Sequence, residues 1–130
     1  MRALLALVIL FLVLCCNDLA AESGTSCKNG PKVVGPCFVV HGRLSAWNGT
    51  PSIRIWRVGT KRMLGVFDAS GTEDGGETVP ASVSKLLAGD VSATEIYGNY
   101  EVCPFERQRL GVMQPVCIDN ASNLVSRHSR

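Results

Sequence analysis

Few residue types in this chain can do chemistry: two histidines, six cysteines, eleven carboxylates and thirteen lysines and arginines. Acyl transfer needs a nucleophile activated by a nearby base, most often histidine. His41 lies beside Arg43 where polar and apolar residues alternate, and His128 lies in a basic tail. No Gly-x-Ser-x-Gly nucleophile elbow accompanies either. Paired-carboxylate hydrolysis needs two carboxyl groups at a fixed separation across a cleft. Asp68, Glu73, Asp74 and Glu77 instead fall in one glycine-rich stretch that reads as a solvated loop. The same four could offer oxygen ligands, but the alternate-residue spacing of a calcium loop is missing. The expectation is no catalytic residue, no metal and no cofactor, with a small secreted hydrolase using His41 kept as an alternative.

Charge is segregated along the chain. Ser23 to Phe67 holds seven basic residues and no acid, Asp68 to Glu106 holds eight acids and one lysine, and four arginines follow against Asp119. Within the basic block, Arg43, Arg54, Trp56, Arg57, Lys61 and Arg62 are placed on one sheet face. Arginine and tryptophan are the side chains enriched at interface anchors, and an arginine can stack on an indole. Arg43, Arg54, Trp56, Arg57 and Arg62 are therefore the expected binding residues, for an unknown protein or an anionic ligand. The competing reading is that this face meets the acidic half of the same domain, or water. A net charge of +2 gives no global argument for nucleic acid.

The cysteines must be read with the start of the chain. Met1-Arg2 precedes an apolar run from Ala3 to Leu14, which fits a signal-peptide core and is too short to span a bilayer. Cleavage after Ala21 makes residues 1–21 the signal peptide, and no transmembrane span is expected in the mature chain. Lipid attachment at Cys15 or Cys16, giving an envelope-anchored structural protein, is the alternative. Removing those two leaves Cys27, Cys37, Cys103 and Cys117, which in an exported chain read as two disulfides. Three pairings are open. The favoured one is Cys27–Cys37 with Cys103–Cys117, because both close short loops; Cys37 with Cys103 would tie the two ends of the core together. No C-x-x-C pair supports zinc.

The elements that must position these groups are mostly strands. Residues 22–36 read as a disulfide-tethered lead-in, 37–126 as one β domain and 127–130 as a basic tail. Phe38, Val40, Gly42 and Leu44 alternate with Val39, His41, Arg43 and Ser45, the period of a strand with one buried face. Asn48-Gly49 reads as a tight turn, Ser52–Val58 as a second strand and Arg62–Phe67 as a third. Pro80 opens a short helix in which Val83, Leu86 and Leu87 share a face, with Gly89 as its stop. Further strands are read over Ala93–Cys103 and Met113–Ile118. A turn at Asn120–Ser122 and a last short strand at Asn123–Ser126 follow. The predicted fold is mainly β: a small antiparallel sandwich or partly open barrel of five to six strands with one short helix.

His41-Gly42-Arg43-Leu44 and Trp47-Asn48-Gly49-Thr50-Pro51 resemble the opening hairpin of transthyretin-like and carboxypeptidase-regulatory-like sandwich domains, over residues 38–66. The resemblance implies a non-catalytic β-sandwich in an exported protein, with no ligand and no active residue assigned. The whole chain also looks like small exported bacterial proteins. Together these readings give an exported, secreted or periplasmic binding protein rather than an enzyme.

Overall fold

The computed structural model describes residues 26–72 and 78–129. Five strands form a closed ring: β1 (Phe38–Ala46), β2 (Ile53–Arg57), β3 (Met63–Val66), β4 (Thr94–Pro104) and β5 (Gln114–His128), in the order β1-β2-β3-β5-β4. One helix, α1 (Ala81–Leu87), lies between β3 and β4. The mainly β class with a single short helix is thus the one expected. All neighbours are antiparallel except β3 and β5, which run parallel. β4 lies beside β1, which leads by hairpins to β2 and β3, so the first four strands form a Greek key. The closed ring is thus a five-stranded Greek-key barrel. That describes shape and not activity.

The alternation read in β1 is the observed one: Val40, Gly42 and Leu44 are buried, with outward residues between them. Leu44, Ile55, Val66, Val83, Ile96, Tyr100, Val102 and Val116 are buried in a single core that α1 covers with Val83 and Leu87. Tyr100 is the bulkiest fully buried side chain among the described residues. Its hydroxyl donates to the Ile96 carbonyl at 2.7 Å, and burial pushes its phenol well above the ordinary range. Gly42 makes this packing possible, since a Cβ there would collide with Ile55 Cγ2 and crowd the Tyr100 ring.

Three expectations are corrected. The disulfides are Cys27–Cys117 and Cys37–Cys103, not the short-loop pairs. Phe38 lies opposite Val102 in the β1–β4 ladder, so the preceding Cys37 meets Cys103. Cys27 is carried to Cys117 by a lead-in pinned on β5: Ser26 Oγ and Lys28 N both donate to Asp119 Oδ1, at 2.9 and 2.8 Å. Bridges spanning 90 and 66 residues restrict the unfolded chain more than short loops do. Each contributes about 4 kcal/mol rather than about 3. Second, residues 120–126 are neither a turn nor a separate strand. β5 runs on through them, with irregularities opposite Tyr97/Asn99 and Glu101/Val102 absorbing the extra length. Third, the basic end is no free tail as far as His128, which pairs with Thr94, while Arg127 lies 5.1 Å over the Tyr97 ring.

Candidate functional site

β3 and β5 are parallel, and Leu64 lies beside Gln114. The turn that enters β3 and the loop that enters β5 are therefore brought to one end of the barrel. The β2–β3 turn is built on Gly59, with φ of +79°, and on Thr60. Thr60 Oγ1 donates to the Arg57 carbonyl at 2.8 Å and accepts from Arg62 N at 3.1 Å, so one hydroxyl joins both limbs. Trp56 Nε1 donates to the Thr60 carbonyl at 2.7 Å and holds the turn from the strand side. Arg57, Lys61 and Arg62 project from this frame as exposed side chains.

The β4–β5 loop, residues 105–113, is clamped at its base. Phe105 N donates to the Pro115 carbonyl at 3.0 Å, and Gln114 Nε2 donates to the Glu106 carbonyl at 2.9 Å. Arg109 Nη2 meets Glu106 Oε2 at 3.0 Å. Gly111, with φ of +71°, turns the tip.

Between turn and loop lies a cleft of about 590 Å³. Arg54, Arg57, Lys61, Arg62 and Arg109 line it, with Phe38, Met63, Leu64, Leu110, Val112 and Met113 as its apolar wall. No carboxylate is among its lining residues. Among the described residues Arg57, Lys61 and Arg62 have no ion-pair partner. Like charges gathered over an apolar wall focus a positive potential.

The five residues expected to bind are divided by the structure. Arg54, Arg57 and Arg62 line the cleft; Arg43 and Trp56 do not. Strand parity separates Arg57 from Arg43 and Trp56, although Arg54, which shares the parity of Trp56, also lines the cleft. Arg43 pairs with Trp56 on the outer face, whereas Arg57 pairs with the buried Gly42 at the barrel's end. Arg43 is engaged within the fold: Nη1 is 3.1 Å from Glu95 Oε1, the guanidinium lies 5.0 Å from the Trp56 ring centre, and buried Nε has no hydrogen-bond partner. Arg54 is intermediate, because its Nε donates to the Pro51 carbonyl at 3.0 Å and its guanidinium lies 5.6 Å from the Trp47 ring centre. Lys28, paired with Glu101 at 3.1 Å, is a second contact between the basic and acidic blocks.

Residues 108–113, Arg109 and Leu110 above all, join the site from a loop the sequence marks only by its basic character and Gly111. Like-signed Arg107 and Arg109 just before an apolar Leu110 are the signal that could have found it.

His41 stands on the outer face of β1, its Nδ1 3.1 Å from Asn99 Oδ1, and is not among the cleft residues. Asp68 accepts from both the hydroxyls and the backbone N–H groups of Ser70 and Thr72, at 2.7 to 2.9 Å. These bonds, that of Ser70 foremost, hold its carboxyl at about 2. Glu73, Asp74 and Glu77 lie outside the described residues. The sulfurs of Cys27, Cys103 and Cys117 are close enough to share a metal, but each is bonded in a disulfide. Cys15, Cys16 and the Ala21 cleavage point also lie outside the described residues, among which no helix is long and apolar enough to cross a membrane. No family model, curated protein or solved structure matches the chain.

Proposed function

We propose that this is an exported binding protein that takes an anionic ligand in the cleft between the β2–β3 turn and the β4–β5 loop. The observation that carries the reading is a cleft lined by five cations and no carboxylate, three of the cations unpaired among the described residues. The chemistry is recognition. Arginine offers a planar fork to sulfate, phosphate or carboxylate, and lysine adds a mobile point charge. Trp56 and Arg43 act behind the cleft as positioning residues, because Trp56 holds Thr60 and Thr60 joins the limbs that present Arg57 and Arg62. Export is supported by two disulfides, which persist in oxidising compartments.

A titration tests the reading. Fluorescence anisotropy of labelled dextran sulfate should rise with added protein, neutral dextran should give no response, and added salt should weaken the binding. Equal response to the two dextrans would end the anion reading. Intact mass of the isolated protein tests export and separates it from the lipid-anchored alternative. The expected species starts at Glu22 and shows four thiols only after reduction, whereas acyl mass on Cys15 or Cys16 would replace it.

A further inference from the structure

The tip of the β4–β5 loop carries a feature that a soluble anion does not use. Leu110 is 91% exposed and Val112 49% exposed, on a turn set by Gly111 and anchored below by Phe105 and Gln114. Exposed apolar side chains are common on protein surfaces, but here two of them share the tip of one loop that is held at its base and bordered by cations. These cations are Arg107 and Arg109 on the same loop, with Lys61 and Arg62 across the cleft. The one carboxylate on the loop, Glu106, is engaged with Arg109.

We propose that this tip docks the protein onto an anionic lipid surface, with Leu110 and Val112 entering the headgroup–acyl boundary and the cleft cations meeting lipid phosphates. The proposal rests on the reading of the cleft as an anion site and names its source of charge. A sulfated sugar or free phosphate would reward the arginines and ignore Leu110. A layer of anionic headgroups over acyl chains rewards both. Neither signal suffices alone, since one small apolar insertion gives only marginal attachment and a polybasic patch supplies the second.

The test is flotation of the isolated protein, wild type and variants in the same processed form. Vesicles of phosphatidylcholine alone are compared with vesicles about a third phosphatidylglycerol. Wild type should float with the anionic vesicles and be released by salt. Leu110→Ser should lower that partition about tenfold, and Leu110→Trp should raise it, tryptophan being suited to the interface. Both variants should keep the wild-type melting temperature, Leu110 being 91% exposed, which shows that they are folded. Equal partition to neutral and anionic vesicles, or a Leu110→Ser variant that floats like wild type, would overturn the proposal. Binding of dextran sulfate without flotation overturns lipid docking and leaves the anion cleft standing; failure of both removes both.

Discussion

The outer face of β1 and β2 and the cleft at the end of the barrel are built from the same residue types and use them in opposite ways. On the outer face each arginine is spent, including Arg54, which also borders the cleft. Arg43 is paired with Glu95 and stacked on Trp56, and Arg54 is bonded to Pro51 and stacked on Trp47. At the barrel's end Arg57, Lys61 and Arg62 have no carboxylate partner among the described residues, and Arg109 alone carries an ion pair, to Glu106. A basic residue beside a tryptophan is therefore a poor guide to a ligand site. What matters is whether the fold has already met the charge. The outer face is better understood as a brace that aims the β2–β3 turn, and the cleft as what the turn is aimed at.

The sharpest way to break this comparison is to reverse the unspent charges. Arg57→Glu with Arg62→Glu should lower affinity for dextran sulfate about a hundredfold at low salt. Both side chains are exposed, so the melting temperature should stay within a few degrees of wild type. Unchanged affinity would place the site elsewhere. Trp56→Ala should act the other way round. It removes a half-buried indole, its stacking with Arg43 and its bond to Thr60. Stability should fall by about 2 kcal/mol and the melting temperature by about 10 °C, with affinity falling less than in the double reversal. If affinity falls further than in the reversal while the melting temperature holds, Trp56 is a contact residue and the brace reading is wrong.

Much of this barrel was legible in the sequence, and the parts that were not share a cause. Period-two alternation identifies β1 because one of its faces is buried along its length, and Pro80, Val83, Leu87 and Gly89 delimit α1 by local rules. Closure of the ring, the parallel β3–β5 pair and the disulfide partners depend on residues far apart in the chain, which no local pattern encodes. Cys37 finds Cys103 only because β1 and β4 are in register. The site shows the same limit. Arg54, Arg57 and Arg62 are visible as a basic cluster, but grouping the cluster on one face puts Arg57 with Arg43, although Arg57 has the parity of the buried Ile55. At the end of a barrel strand the inward-facing parity leads out into the cleft instead of into the core. Arg109 and Leu110 reach the site through a fold-wide coincidence, the parallel register of Leu64 with Gln114.

Asp68 supplies the negative counterpart of Arg43 and the smallest of these effects. Its carboxylate accepts bonds from Ser70 and Thr72 and is held at about 2, below the ordinary 3.8, so the acid block too has a member whose charge is spent inside the fold. The direction of the pH effect follows from the lowered value. The folded chain holds the ionised form more strongly than the unfolded chain does. That stabilisation is complete above the ordinary value of 3.8 and is lost as pH falls towards 2. Thermal melts of wild type and Asp68→Asn should therefore differ most at neutral pH and converge between pH 3.8 and about 2. The loop packs against the lead-in, where a side chain on Gly30 would strike the Ala69 carbonyl. The variant's loss should appear as loosening there, with dextran sulfate affinity unchanged because Asp68 is not a cleft residue. A constant difference between the two melting curves down to pH 2 would show that these bonds do not favour the ionised carboxylate. A change in affinity would show that the loop after β3 and the cleft are coupled.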